Sequence, residues 1–258
     1  MAHVSWLTTA PVKGLALVAE DEVLLERHGV AHNRRFCVVG EDGRRYGALR
    51  DGRIQLVQPR YDAEAGRLAL EFPDGDVAQG PVALGEEITT DLFDARVRGR
   101  IVEGPWGAAL SAFIGRPLRL MYVESPGGSV DRSRGPVSIV SDASLDELGR
   151  RSGGDEPVDG RRFRMLIGVG GVAAHEEDGW CGREVRIGEA VVRPLEPVAR
   201  CAITTQNPDT GRPDFDTLRE IKRYRGPRLE DGKSIDFGVF GEVVEPGRIR
   251  RGDPVEPV

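Results

Sequence analysis

Cysteine is scarce in this chain and irregularly placed: Cys37, Cys181 and Cys201 are the only three among 258 residues. An odd number at wide spacing gives neither a disulfide framework nor a zinc pattern, and it points to a reducing compartment. No apolar run approaches the ~18 residues of a membrane-spanning helix. The first residues, Met-Ala-His-Val-Ser-Trp-Leu, lack the basic and apolar segments of a secretory leader. A soluble, cytoplasmic protein is expected, with no membrane partner. Surplus positive charge is missing too. Lys and Arg number 36 against 42 Asp and Glu, a net charge of −6, which argues against a general nucleic-acid binder. No Walker loop, GxSxG elbow or dinucleotide glycine motif is present. The histidines His3, His28 and His32 are scattered, and His175-Glu176-Glu177-Asp178 reads as a solvated acidic loop.

Glycine and proline, by contrast, are plentiful at 34 and 17 residues. That much punctuation suits short strands joined by turns rather than a helical bundle. Strand patterns run through 36–39, 54–57 and 67–72, through 118–123 and 163–169, and through 237–244. Residues 185–188 and 190–193 form a hairpin pattern. Helical spacing runs through 106–114, where Gly115 and Pro117 end it, and through 215–224. Ser144, with Glu147 three residues on, reads as a capping box at a further helix start. Residues 125–135 are rich in Gly, Ser and Arg and read as a loop. The fold class expected is α+β and β-rich, with one domain over residues 1–105 and a second over 106–258.

Residues 199–211, Ala-Arg-Cys-Ala-Ile-Thr-Thr-Gln-Asn-Pro-Asp-Thr-Gly, hold the densest chemistry. Cys201 ends an apolar, strand-like run and has Arg200 beside it. A free cysteine is most often a small buried hydrophobe, but a thiolate at a strand-to-turn junction is also a soft-metal ligand or a nucleophile. Thr204, Thr205 and the turn at 207–211 add hydroxyls and backbone donors.

These residues resemble the MOSC family, named for the C-terminal domain of molybdenum cofactor sulfurase. The matching pattern is Arg200-Cys201, Thr204-Thr205, Asn207-Pro208-Asp209-Thr210-Gly211, Leu218 and Tyr224-Arg225. Phe237-Gly238-Val239-Phe240 and Gly252-Asp253-Pro254-Val255 match near the end. Pro11-Val12-Lys13-Gly14 resembles the opening of the β-rich domain that precedes the MOSC domain in many members. Asn33-Arg34-Arg35-Phe36 resembles an Asp-Arg motif, with Asn33 where the family carries aspartate. Val140-Ser141-Asp142-Ala143-Ser144-Leu145 and Arg162-Phe163-Arg164 resemble two further family segments.

The resemblance implies a MOSC β-barrel domain behind a smaller β-rich domain, with a molybdenum cofactor (molybdopterin) in the cleft between them. Cys201 would be the molybdenum ligand and catalytic residue. Lys13, Gly14, Arg34, Ser141, Arg164, Arg200 and Thr204 would bind the cofactor. The activity implied is reduction of N-hydroxylated or N-oxide small molecules, with electrons from a separate protein, a ferredoxin or a reductase. A persulfide on Cys201, in a sulfur-carrier or cofactor-transfer protein, is the alternative, as is a non-catalytic small-molecule-binding module on the same fold. Met165-Leu166 stand where the family has Pro-Asn. The resemblance therefore implies weaker cofactor retention, restored by Leu166→Asn.

Overall fold

Two β bodies with separate cores make up the molecule, a computed structural model that describes residues 1–92, 95–124 and 135–258. The loop read at 125–135 lies outside the described residues except for Gly135. No helix among the described residues is long and apolar enough to cross a membrane.

The first body is built on a sheet ordered Ala83–Leu92, Ala95–Glu103, Leu118–Val123, Phe36–Gly40, Val12–Lys13, with Arg45–Tyr46 also pairing Phe36–Gly40. A meander of Gln58–Asp62, Arg67–Glu71 and Val77–Pro81 forms a second small sheet. Their shared core holds Phe36, Leu68, Leu70 and Leu120, all essentially without solvent contact. Helix α1, Trp106–Ile114, plugs this core with Trp106, Leu110 and Ile114 at helical spacing. Gly115 ends it in the left-handed region, at φ 83°. The expected boundary at 105/106 therefore falls inside the first body, because α1 and the strand after it both pack there.

The second body is an eight-stranded sheet. Its order is Val255–Pro257, Val185–Ile187, Ala190–Ala199, Asp236–Glu245, Val137–Ser141, Ile167–Gly170, His3–Thr9, Val18–Glu20. The first strand of the chain thus pairs antiparallel with Ile167–Gly170 (Leu7 opposite Ile167) before the chain enters the first body. One face buries Leu7, Ile139, Leu166, Val169 and Val239. The other face is covered by helices α2, Asp142–Arg151, and α3, Thr217–Arg225, over Leu148, Phe163, Ile221 and Phe237.

Three local readings change. Residues 54–56 belong to a 3₁₀ turn, Gly52–Leu56, with Val57 as its C-cap, because the Asp51 carboxylate caps it by accepting the Arg53 N–H at 3.0 Å. The strand read at 163–169 is shorter, Ile167–Gly170, and follows a 3₁₀ turn, Gly160–Phe163. The N-cap of helix α2 lies three residues before the expected one: Ser141 accepts the Ser144 N–H at 3.2 Å. Glu147 turns outward to Arg150 and Arg151 instead of closing a capping box.

Candidate functional site

Where the two bodies meet, a cavity of about 650 Å³ opens. Lys13, Gly14 and Arg34 line it from the first body; Arg164, Arg200, Cys201 and Thr204 line it from the second. Seven of the eight residues expected in the site therefore line this one cavity. That volume is within the usual ~300–1,000 Å³ of small-molecule sites.

The approach of the two bodies is held by crossed arginines. Arg34 donates from Nη2 to the Arg164 carbonyl at 3.1 Å, and Arg164 donates from Nη2 to the Leu15 carbonyl at 2.7 Å. Both residues have left-handed backbones, at φ 53° and 54°. Such a conformation is unfavourable for a long side chain, and it persists only where the surroundings enforce it. For Arg34 the enforcement is visible. Buried Asn33 accepts the Ala10 N–H through Oδ1 at 2.8 Å, and the Arg34 N–H donates to the Ala10 carbonyl at 2.7 Å. Asn33 thus organises the backbone of the Lys13 segment rather than supporting the Arg34 guanidinium. For Arg164, the left-handed step closes the 3₁₀ turn Gly160–Phe163. Gly14 takes φ 93°, with Gly47 Cα 3.7 Å from where a Cβ would stand, so the chain passes close to the wall of the cavity.

Among the described residues that line the cavity, charge is one-sided. Lys13, Arg34, Arg44, Arg45, Arg50, Arg164 and Arg200 line it, and Asp91 is the only carboxylate residue among the lining residues described. Desolvation holds the Lys13 ammonium well below its ordinary range, with Arg34, Arg45 and Arg164 adding repulsion. Burial brings Arg164 down to about 10. Such a site favours an anion, which would relieve this repulsion.

Cys201 is exposed on the cavity wall. It caps a 3₁₀ turn, Ala202–Thr205, with extended backbone angles. Thr204 is buried and fixes this turn: its hydroxyl donates to the Cys201 carbonyl at 3.1 Å and lies 2.5 Å from the Thr217 hydroxyl. Arg200 fixes the other side. It donates to the Phe237 carbonyl through Nε at 2.8 Å, to the Phe163 carbonyl at 2.9 Å and to the Met165 sulfur at 2.8 Å. Thr204 and Arg200 thus set the position of Cys201. The next turn is tied by Arg161, bidentate to Asp209 at 2.8 Å and 2.8 Å, and by Gln206, which donates to the Ala48 carbonyl at 2.7 Å. Gly52 and Gly211 cross so closely there that a Cβ on Gly52 would stand 1.8 Å from the Gly211 oxygen. Cys37 is fully buried, which pushes its thiol to about 12, and Cys181 is raised to about 11 chiefly by burial. Among the described residues, no group of three or more His, Cys, Asp or Glu could hold a metal ion.

Ser141 does not line the cavity. It is fully buried, its hydroxyl 2.6 Å from that of Ser144 at the start of α2. Leu166 is also elsewhere: it lies in the second body's core, 3% exposed, and only its neighbour Met165 faces the cavity. The side chains at 165 and 166 point opposite ways as the chain enters the strand.

Of the acidic segment at 175–178 only Glu176 is exposed. The segment forms a 3₁₀ turn, Glu176–Trp180, with Glu177 fully buried beneath α2. The Glu177 carboxylate accepts the Ser141 N–H at 3.2 Å and the Ser144 hydroxyl at 3.0 Å, where the positive end of the helix favours it. His175 Nδ1 accepts from Arg225 Nη1 at 2.9 Å, which assigns the proton to Nε2, 3.1 Å from the Tyr224 hydroxyl. Its ring sits edge-on to Phe237, whose carbonyl holds Arg200. Sequence reasoning missed this network; the one available signal was Tyr224-Arg225 at the end of the helix pattern.

Burial, then the Arg225 charge, lowers His175 to about 4 from an ordinary 6.5. Between these values the unfolded chain binds a proton that the folded chain does not, so stability rises with pH there. Its neutral-imidazole contribution is complete above about pH 6.5 and lost as pH falls towards 4. The carboxylates of Glu177 and Asp178 are raised by burial and act with the opposite sign. Urea midpoints from pH 7 to 4 should therefore fall less steeply in His175→Gln than in the wild type. Parallel profiles would mean that His175 titrates normally.

Comparison with known proteins gives a consistent match. The MOSC domain model matches residues 125–256, and the model of the MOSC N-terminal beta barrel domain matches residues 1–117. Mitochondrial amidoxime-reducing component 1 of Xenopus laevis is 28% identical over 98% of this chain and 81% of its own length. Mitochondrial amidoxime reducing component 2 of Macaca fascicularis is 37% identical over 89% of this chain and 74% of its own length. The human component 2 is likewise 37% identical, with the same coverage.

Proposed function

Since the chain belongs to the MOSC family, with the family's N-terminal beta barrel domain in front, we propose that it is a molybdenum-cofactor-dependent reductase of N-hydroxylated or N-oxide small molecules. The observation that carries this reading is the convergence of the exposed Cys201 thiol with a cationic wall in one cavity between the two bodies. The residues fit the group. Thiolate is a soft ligand suited to molybdenum, and Lys13, Arg34 and Arg164 suit the phosphate and carbonyl edges of a pterin. Gly14 leaves room for close backbone approach. When bound, the cofactor supplies the redox centre and its dithiolene sulfurs.

The chain's own part is to hold and orient. Arg200 and Thr204 fix the Cys201 backbone so that the thiol faces the cavity. The crossed pair Arg34–Arg164 keeps the two walls at one separation. The substrate is a small molecule, and electrons come from a separate ferredoxin or reductase. Relatives named for amidoxime reduction support the substrate class.

Protein produced in a host that makes the cofactor, and given a chemical reductant, should convert benzamidoxime to benzamidine. Full molybdenum loading with no turnover across amidoximes, hydroxylamines and N-oxides would contradict the reductase reading. One observation favours a second reading: Cys201 is exposed, as a persulfide carrier requires. Cyanide-labile sulfur that Cys201→Ala removes, in protein without molybdenum, would select it.

A further inference from the structure

Most exposed arginines here pair with carboxylates, as Arg53 does with Asp51, Arg161 with Asp209 and Arg248 with Glu22. Arg44 and Arg50 are among the exposed arginines that have no such partner among the described residues. Both are exposed and both line the cavity, yet among the described residues neither side chain has a hydrogen bond or an ion pair. In a chain with six more acidic than basic residues, two such guanidinium groups at one mouth make a local positive field. Arg34 and Arg164 already spend donors on carbonyls that tie the bodies together, and Arg200 spends its donors on the Phe163 and Phe237 carbonyls within the second body. The donor forks of Arg44 and Arg50 stay available for a carboxylate.

Leu49, between them, is exposed at 59% and lines the same cavity, so it offers an apolar contact next to the charges. The segment is anchored. The Arg50 N–H donates to the Gly47 carbonyl at 2.8 Å, and Gln206 holds the Ala48 carbonyl at 2.7 Å. Gln206 belongs to the turn that follows Cys201, so this rim has a fixed relation to the thiol, which lowers the ordering cost of binding.

We propose that Arg44 and Arg50 form a substrate anion site, so that the preferred substrates are N-hydroxylated compounds bearing a carboxylate. This rests on the reductase reading above: the carboxylate would sit at the mouth while the N–O group reaches towards Cys201.

The test compares 4-carboxybenzamidoxime with benzamidoxime on the holo protein, with a chemical reductant for turnover and calorimetry of the oxidised protein for binding. The expected result is a kcat/KM ratio favouring the carboxylate compound, carried by KM and reduced by salt. Arg44→Gln with Arg50→Gln should lower that ratio by about tenfold or more. Equal kcat/KM for the two compounds in the wild type would overturn the anion site and leave the reductase reading intact. So would loss of molybdenum in the double variant, which would assign these arginines to the cofactor. A defect seen only when a donor protein supplies electrons would overturn it too, making them a docking surface. Calorimetric preference for the carboxylate compound, lost in the double variant but without turnover of either compound, would support the anion site while contradicting the reductase reading.

Discussion

Replacing Cys201 by Ala should reduce molybdenum content from near-stoichiometric to background and abolish reductase activity, while the fold stays intact. The side chain is exposed, so its truncation should change stability by no more than about 0.5 kcal/mol. Thr204 and Arg200 hold the local turn through the Cys201 carbonyl and the carbonyls of Phe163 and Phe237, none of which the substitution removes. Cys181→Ala, which alters a thiol outside the cavity, should keep the metal. Equal molybdenum in the wild type and Cys201→Ala, measured by elemental analysis on the same preparations, would remove the thiol from the metal site.

Leu166→Asn should do the reverse of what the family pattern suggests. Leu166 is packed among Leu7, Ile139, Ile167 and Val239. An asparagine there would lose apolar contact and bury an amide with no partner, a combined cost of about 3 kcal/mol. For a chain of this size that is a fall in Tm of about 6–12 °C. Cofactor occupancy should not rise, because position 166 does not line the cavity. A higher molybdenum content with unchanged Tm would show that the amide reaches the cofactor after all.

Much of the site was legible in the sequence because its chemistry is local. Cys201, Arg200 and Thr204 sit within five residues and act on one turn, so motif and geometry coincide. Helix α1 was legible for the same reason, with its apolar spacing and a glycine stop written in one stretch. The segments that went astray depend on partners far away in the chain. The acidic run at 175–178 looks solvated until Ser141, Ser144, Tyr224 and Arg225 are brought around it. Residues 54–57 alternate like a strand, but a single Asp51 cap turns 54–56 into part of a 3₁₀ helix. The placement of Leu166 against Met165 turns on which core each side chain enters just before the strand Ile167–Gly170, and no local pattern fixes that. The first strand could not be assigned to the second body from sequence, since its partner Ile167–Gly170 lies some 160 residues on.

The central claim is that the cavity between the two bodies holds a molybdenum cofactor through Cys201 and the cationic wall. Molybdenum and pterin should be measured together on protein purified from a cofactor-producing host, the metal by elemental analysis and the pterin by fluorescence after oxidation. The account predicts equal molar amounts of both, near one per chain. Protein carrying neither, with cyanide-labile sulfur on Cys201 instead, would contradict it.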